Sequence, residues 1–191
     1  MRDSELVRAT LAEAIALHEV VKHGDLRPVT DAAALIIESI GRDGRLLTFG
    51  NGGSAADAQH VSSELVGRFL RQRRPLAAVA LTTDASVLTS VANDESFDRV
   101  FARQIEGLGR KGDVALGIST SGRSLNVVAG FNAARAQGLR TIALTGGDGG
   151  VVATLVDIHI NVPSTSTPRV QEVHRTLLHV ICDLVERAVS D

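Results

Sequence analysis

Five short apolar segments constrain the fold of this chain more than any other feature. Each is four or five residues long and does not alternate apolar with polar side chains, a pattern typical of strands covered on both faces. The segments span residues 46–49, 77–81, 114–118, 141–144 and 158–162. Helical stretches lie between and after them, near residues 54–69, 97–109, 124–138, 150–156 and 168–189. This alternation predicts an α/β fold with a doubly wound, five-stranded parallel sheet.

Two helices are predicted ahead of the first strand. Residues 3–22 repeat apolar positions at intervals of three and four, and a second helix is expected from Pro28 to about Gly41. Both helices are more apolar than is typical for the surface of a small monomer, so we expect them to pack against another subunit. The 191 residues are therefore predicted to form one domain, with oligomerisation helices in residues 1–42 and the α/β core in residues 43–191.

Charge and aromatic content exclude several classes of partner. The 20 Lys and Arg residues against 22 Asp and Glu residues give a net charge of −2, and there are five Phe but no Trp or Tyr. Without a positive field or stacking rings, nucleic-acid binding is not expected. The sequence shows no signal peptide and no apolar run of membrane length, and Cys182 alone cannot form an internal disulfide or a thiolate zinc site. We therefore expect a cytoplasmic protein with no membrane partner.

The first strand ends in a glycine-rich loop, whose sequence over residues 50–57 is GNGGSAAD. It matches the dinucleotide fingerprint G-x-G-x-x-A only weakly, because no acidic residue follows a second strand, and it lacks the lysine of a P-loop. A tight turn would account for the pattern, with Ser54 capping the next helix and Asp57, three residues later, completing a capping box. The functional alternative is a loop whose bare backbone N–H groups bind a polar ligand.

The third strand ends in a loop rich in hydroxyl groups. Ser119, Thr120, Ser121 and Ser124 fall within six residues, directly before a predicted helix. Helix capping by Ser124 would need only one of these hydroxyls. Four of them, together with the loop N–H groups and the helix N-terminus, favour a neutral cradle for a phosphate monoester. Both loops are expected at the carboxyl ends of the strands, where doubly wound sheets bind their ligands.

Two helices carry side chains that could bind a metal or move protons. His60 and Glu64 are four residues apart and share one face of the helix after the glycine-rich loop. Gln171 and His179 are eight residues apart on the last helix, about 80° around its axis. Spacing alone makes His174 an equal candidate to His179. Such residues can form a metal site or an acid–base pair, but a His and a Glu four residues apart are more often a solvated pair on a helix surface.

Four motifs together resemble those of a known family. They are NGGSAADAQH at residues 51–60 followed by Glu64, AND at residues 92–94, STSGRS at residues 119–124 and RVQEVH at residues 169–174. In this combination the chain resembles the sugar isomerase (SIS) domain proteins and, among them, the phosphoheptose isomerases. The resemblance covers nearly the whole chain, and it implies a single SIS domain with the flavodoxin-like SIS fold.

The resemblance implies an aldose–ketose isomerase that converts D-sedoheptulose 7-phosphate to D-glycero-D-manno-heptose 7-phosphate in bacterial heptose biosynthesis. It also implies a homotetramer with active sites between subunits and one zinc ion per site. Glu64 matches the catalytic base of the family, and His179 matches its acid–base partner. The zinc ligands match His60, Glu64, Gln171 and His179. The substrate-binding positions match Asn51, Gly52, Gly53, Ser54, Glu64, Asn93, Asp94, Ser119, Thr120, Ser121, Ser124 and Gln171.

Two other functions are found on the same fold. Some SIS relatives are tetrameric adaptors that bind the bacterial replication initiator, and they keep the loops but lack the His and Glu residues that this chain has. The other alternative is an isomerase of a different sugar phosphate. The arginines of the basic segment from Arg68 to Pro75 have two possible roles: they lie in a solvated loop, or they attract a phosphate substrate.

Overall fold

Five parallel strands form the central sheet of the computed structural model, which describes residues 2–190. The strands are β1 (Leu46–Gly50), β2 (Ala78–Ala80), β3 (Val114–Ser119), β4 (Arg140–Gly146) and β5 (Ile158–Val162). Their order across the sheet is β2-β1-β3-β4-β5, the flavodoxin-like order of doubly wound sheets. The predicted fold class is confirmed.

Helices cover both faces of this sheet. Within the described residues the α-helices are α1 (Asp3–Lys22), α2 (Arg27–Ile40), α3 (Gly53–Val66), α4 (Ala85–Asp94), α5 (Val100–Leu108), α6 (Leu125–Ala136) and α7 (Thr167–Val189). On one face α2, α3 and α7 pack on strand side chains that include Leu46 and Val114. On the other face α5 and α6, with α4 beside them, pack on the alternate side chains, which include Leu47 and Ala115. Successive strand side chains point to opposite faces, so the three inner strands β1, β3 and β4 are buried on both, whereas the outer strands β2 and β5 are only partly covered.

The segment between β2 and β3 differs from its prediction. Residues 97–109 form a 3-10 helix, Phe97–Arg99, followed by α5, and α4 precedes it. The sequence does not predict α4, because the helix is rich in Ser, Thr, Val and Asn, which have low helix propensity. Asp84 starts α4 by accepting a hydrogen bond of 3.0 Å from the Val87 N–H. The helix predicted near residues 150–156 is only a 3-10 helix, Val151–Thr154.

The two N-terminal helices differ in how the chain covers them. α2 buries Val29, Ile36 and Ile40 in the core that it shares with α7 and the sheet. Its apolar face is thus explained by the chain's own core rather than by another subunit. α1 buries none of its residues, and Leu11 and Ile15 are 58% and 65% exposed. Only α1 keeps the exposed apolar surface expected of a subunit contact.

Across residues 2–190, no helix combines the length and apolar character that a membrane span requires.

Three phenylalanines form the centre of the core under α5 and α6. The Phe49 ring of β1 lies 5.4 Å from the Phe101 ring and 5.1 Å from the Phe131 ring, measured between centroids. All three side chains are buried. The neighbouring strand β3 contributes Gly117 at this point, where a Cβ atom would overlap the Phe131 ring. Glycine at this position therefore lets the aromatic cluster reach the sheet.

Phe131→Ala tests this packing. We expect the free energy of unfolding to fall by about 3–5 kcal/mol, because the substitution leaves a cavity beside Phe49 and Phe101. Chemical denaturation followed by circular dichroism measures the change. Asn132→Ala, at the exposed next position of α6, is the matched control and should stay near the wild-type value. A loss of less than about 1 kcal/mol for Phe131→Ala would contradict the packing.

Candidate active site

The glycine-rich loop and the hydroxyl-rich loop lie side by side at one edge of the sheet. β1 and β3 are neighbours, and Gly50 is paired with Ile118 near their carboxyl ends. From β1 the chain continues to β2 on one side, whereas from β3 it continues to β4 on the other. The two crossovers leave in opposite directions, and doubly wound sheets bind their ligands in the crevice between them. The topology thus brings both predicted loops to one site.

Two glycines determine the shape of the first loop. Gly52 precedes α3 with φ 56° and ψ −122°, a conformation that non-glycine residues adopt only under strain. Gly53 begins α3, and a Cβ atom there would overlap the side-chain amide of Gln171 from α7. A side chain at residue 53 would therefore require the end of the Gln171 side chain to move.

Neither loop uses its serine as a helix cap. Ser54 lies within α3, one residue after its start, so the capping alternative for Ser54 is wrong. Asp57 pairs instead with Arg175 of α7, whose Nε and Nη2 atoms lie 3.0 and 2.5 Å from Asp57 Oδ1. Ser124 occupies the N-cap position of α6, but its side chain makes no capping hydrogen bond. Its hydroxyl is free to face the loop.

Hydroxyl groups converge in the second loop. Ser119 Oγ lies 3.2 Å from Ser124 Oγ and 3.5 Å from Ser121 Oγ. The Gly122 N–H donates to Ser119 Oγ at 3.2 Å. The loop leads into the N-terminus of α6, where the first N–H groups of a helix have no partner within it. Hydroxyl donors, loop N–H groups and a helix N-terminus together form the arrangement of an anion-binding site.

A pocket of about 270 Å³ joins the two loops. It is lined by Asn51, Gly52, Gly53, Ser54, Ile118, Ser119, Thr120, Ser124, Thr167 and Gln171. Asn51 and Asn126 exchange two side-chain hydrogen bonds, of 2.8 and 2.9 Å, which hold the Asn51 amide in place. The sequence does not single out Asn126 or Thr167. The signal for Asn126 is its place in the first turn of the helix that follows the hydroxyl-rich loop.

A second group of site residues lies farther along α3 and α7. His60 Nε2 and His179 Nε2 are 2.8 Å apart, and Glu64 Oε1 lies 3.4 Å from His60 Nε2. At this distance one ring nitrogen can donate a hydrogen bond to the other, and the tautomers of the two rings decide which one donates. The group can hold or move a proton, and its two nitrogens and one carboxylate are donors that zinc accepts.

The fourth predicted zinc ligand lies apart from this group within the chain. Gln171 precedes His179 by eight residues, about 12 Å along the helix axis. Its amide lies at Gly53, beside the loop pocket. In the part of the chain that the structure describes, no three His, Cys, Asp or Glu side chains are arranged so that they could enclose a metal ion. The four-ligand zinc set therefore stays a prediction.

Burial excludes two other reactive side chains of α7 from the site. His174 has no exposed surface, and its Nε2 is 2.9 Å from the Thr145 carbonyl oxygen. Burial lowers the pKa of His174, so the neutral ring stays in the core. This removes the choice that spacing left between His174 and His179. Burial also raises the pKa of the Cys182 thiol to about 12, which excludes a thiolate nucleophile near neutral pH.

The predicted substrate residues Asn93 and Asp94 lie outside the loop pocket. They form the exposed end of α4, and Asn93 Nδ2 donates to Asp94 Oδ1 at 2.8 Å. The carboxylate of Asp94 thus orients the amide of its neighbour. Their role in substrate binding stays a prediction.

The arginines of the basic segment are largely engaged in the fold. Arg71 Nη1 lies 2.6 Å from Asp183 Oδ1 of α7. The Arg73 side chain is 1% exposed, and its Nη2 atom donates to the Glu64 carbonyl at 2.6 Å. Because their charged groups are paired within the fold, these two arginines are not available to attract a phosphate substrate. Arg73 is also not part of a solvated loop, since its side chain is buried.

Comparison with known proteins gives the same grouping as the motifs. The family described as SIS domain matches residues 11–146. The phosphoheptose isomerase of Pelobacter propionicus is 50% identical over 175 residues, which are 91% of this chain and 92% of that protein. The chain belongs to the phosphoheptose isomerase family of SIS domain proteins. The phosphoheptose isomerase of Neisseria gonorrhoeae is 47% identical over 190 residues, 98% of this chain and 96% of its own.

Solved structures of the phosphoheptose isomerase family have the same fold. The Neisseria gonorrhoeae structure matches with a TM-score of 0.92 at 45% identity, over 96% of this chain and 98% of its own. The Francisella tularensis structure matches with a TM-score of 0.94 at 32% identity, over 98% and 100%. Because these matches cover nearly the whole chain, the N-terminal helices belong to the fold of the family as well as the sheet.

Phosphate binding tests the anion site of this phosphoheptose isomerase family member. We expect inorganic phosphate to bind the wild type, and the double variant Ser121→Ala/Ser124→Ala to bind it at least about tenfold more weakly. The reason is that each hydrogen bond to a charged group contributes about 1.5–3 kcal/mol. Isothermal titration calorimetry measures both affinities. Thr30→Ala removes an exposed hydroxyl from α2 and should change nothing. Equal affinity in the wild type and the double variant would contradict the assignment.

Proposed function

We propose that the chain is an aldose–ketose isomerase that converts D-sedoheptulose 7-phosphate to D-glycero-D-manno-heptose 7-phosphate in bacterial heptose biosynthesis. One observation carries the proposal. The glycine-rich and hydroxyl-rich loops, which carry two motifs of the phosphoheptose isomerase family, meet at one crevice of the sheet, and the residues able to move a proton stand along the helices α3 and α7. The non-catalytic adaptors, as the resemblance describes them, lack this His and Glu set.

The phosphate of the substrate would bind in the hydroxyl-rich loop. Ser119, Thr120, Ser121 and Ser124 supply hydroxyl donors, and α6 directs the positive end of its dipole at the same point. Neutral donors of this kind hold an anion without lysine, in agreement with a net charge of −2. Asn51, Gly52 and Gly53 would contact the sugar from the opposite loop.

The distance along α3 suits a long sugar phosphate. His60 follows Gly53 by seven residues, about 10 Å along the helix axis. In a ketose 7-phosphate, most of the carbon chain separates the phosphate from the carbonyl group. A substrate anchored by its phosphate at the loops could therefore present its carbonyl end to the His60, Glu64 and His179 side chains.

Isomerisation moves a proton between adjacent carbons through an enediol or enediolate. The carboxylate of Glu64 would remove the proton from C1 of the ketose and return it at C2 of the aldose. The imidazole of His179 would donate a proton to the carbonyl oxygen and take one back from the neighbouring hydroxyl. Each of these two groups contributes on the order of 10²–10⁴-fold.

The donor set suits zinc, which we propose as the cofactor. Two imidazoles and a carboxylate are offered by His60, Glu64 and His179. Among the described residues these side chains do not enclose an ion as they stand, so the two rings would have to leave their mutual hydrogen bond to bind zinc together. Gln171 is the fourth ligand implied by the resemblance, and a second subunit could supply it. When bound, zinc would polarise the carbonyl group. Because metal ligation weakens a carboxylate as a base, Glu64 would act as the base only while it is not bound to the ion.

The assembly we propose is a cytoplasmic homotetramer with active sites between subunits. The exposed apolar side chains of α1, which the chain's own core leaves uncovered, support this assembly. An exposed apolar surface of this kind is typical of a protein–protein contact.

The activity is tested with purified protein and sedoheptulose 7-phosphate, by following the aldose product with NMR. We expect turnover in the wild type, and a kcat at least about 10²-fold lower in Glu64→Gln, since amide nitrogen and oxygen cannot remove the proton. His23→Gln, at an exposed position, is the control and should keep the wild-type rate. The same assay is repeated with a chelator and then with added zinc. A loss of turnover with the chelator that added zinc restores would support zinc as the cofactor.

Three results would contradict these roles. Near-normal turnover of Glu64→Gln would exclude Glu64 as the base. Full activity after complete removal of metal would exclude a zinc requirement. Absence of turnover in every metal condition would favour the adaptor alternative, which a binding assay with the replication initiator would then test.

Charged substitutions in α1 test the assembly. We expect the wild type to have the mass of a tetramer, and the double variant Leu11→Glu/Ile15→Glu to form smaller species, because it places charges in an apolar contact. Analytical ultracentrifugation measures the mass. Ala16→Glu adds a charge about 100° around the helix from Ile15 and should leave the assembly intact. An unchanged mass of the double variant would exclude α1 from the subunit contact.

A further inference from the structure

A buried carboxylate of α7 organises the basic segment between α3 and β2. Glu186 has no exposed surface. Its Oε1 accepts a hydrogen bond from the Phe69 N–H at 2.9 Å, and its Oε2 accepts from the N–H groups of Leu70 and Arg71 at 2.7 and 2.8 Å. Three consecutive N–H groups around one carboxylate form an anion-binding concavity of the backbone. Glu186 therefore determines the path of the chain at residues 69–71.

The charge of Glu186 is compensated inside the protein. Arg73 Nε lies 3.5 Å from Glu186 Oε1, and Arg71 Nη1 lies 3.8 Å from Glu186 Oε2. Burial raises the pKa of Glu186, but the three N–H donors and the Arg73 charge outweigh it, so its pKa is lowered overall. A buried ion pair of this kind is costly to break, because either partner alone would leave an uncompensated charge.

The segment held by Glu186 contacts two residues of the proposed proton-transfer site. The Phe69 ring stacks on the His179 ring with centroids 5.4 Å apart and an angle of 28° between the planes. Arg73 Nη2 donates to the carbonyl of Glu64 at 2.6 Å. His179 and Glu186 are seven residues apart on α7, two turns along the same face. One carboxylate thus links the ring that stacks on His179 with the backbone of the last turn of α3, which carries Glu64.

We propose that Glu186 is a positioning residue, which holds Phe69 against His179 and Arg73 against the backbone carbonyl of Glu64, so that the imidazole keeps its orientation and the helical turn that carries Glu64 keeps its position for proton transfer. This rests on the proposed function, since it concerns the same site. Glu186 itself touches no substrate. Misplacement of a catalytic group by about 1 Å costs on the order of 10²-fold in rate. The phosphate site is formed by the loop of residues 119–124 before α6, which is not among the groups that Glu186 contacts, so its affinity should hardly change.

Two variants and a matched control test the proposal by steady-state kinetics. Glu186→Gln removes the charge and one of the acceptor oxygens, and Phe69→Leu removes only the ring that stacks on His179. We expect kcat to fall about 10- to 100-fold in both variants with KM near the wild-type value. Arg187→Gln removes an exposed charge next to Glu186, where Arg187 pairs with Asp183, and should leave both constants unchanged.

A second readout does not depend on turnover. In protein labelled at its six histidines, long-range ¹H–¹⁵N spectra report the environment of the His179 ring, whose signals are assigned by their loss in His179→Asn. We expect these signals to shift in Glu186→Gln and in Phe69→Leu, and to stay in place in Arg187→Gln. If Glu186→Gln does not fold, Phe69→Leu decides by the same two measurements.

The proposal is overturned if the folded variants keep the wild-type kcat, if only KM changes, or if kcat falls while the His179 signals stay in place. Each of these results would leave Glu186 a purely structural residue. Absence of turnover in the wild type would instead contradict the proposed function. The His179 signals alone would then decide whether Glu186 positions the ring.

Discussion

The site depends on the pairing of β1 with β3. Because β2 and β4 extend the sheet on opposite sides of this pair, the connections after β1 and β3 diverge, and the N-termini of α3 and α6 face one crevice. The glycine backbone forms one wall, where Gly53 lets Gln171 approach. Hydroxyl groups form the other wall. A phosphate bound in this crevice, as we propose, would meet neutral donors and helix N-termini, which need no positive net charge on the chain.

Buried charges connect the last helix with the rest of the molecule. Asp57 of α3 pairs with Arg175, and Glu186 binds the backbone of residues 69–71. A buried charge is costly unless it is paired and hydrogen-bonded, so shifting α7 along α3 would break several such contacts at once. These contacts define one position of α7 against α3. That position brings His60 and His179 to hydrogen-bonding distance.

The differences between prediction and structure have separate physical causes. The sequence does not reveal α4, because tertiary contacts and the Asp84 cap stabilise residues that have low helix propensity. The apolar pattern of α2 is compatible with contact to another subunit or with the chain's own core, and only packing distinguishes them. Ser54 and Asp57 match a capping box by spacing, yet the N-cap of α3 is Gly52, two residues before Ser54, and the Asp57 carboxylate pairs with the distant Arg175.

The sequence by itself determined the parallel α/β class, the two loops at the strand ends and the family, because apolar period and ordered loop motifs are local properties of the chain. It also identified His60, Glu64 and His179 as candidates, through the resemblance. Only the tertiary structure decided that His174 is a core residue and that His179 faces His60. The contacts of Asn126, Phe69, Arg73 and Glu186 likewise emerged only from the fold. Each of these depends on contacts between residues far apart in the chain, which cannot be predicted from the spacing of residues along one helix.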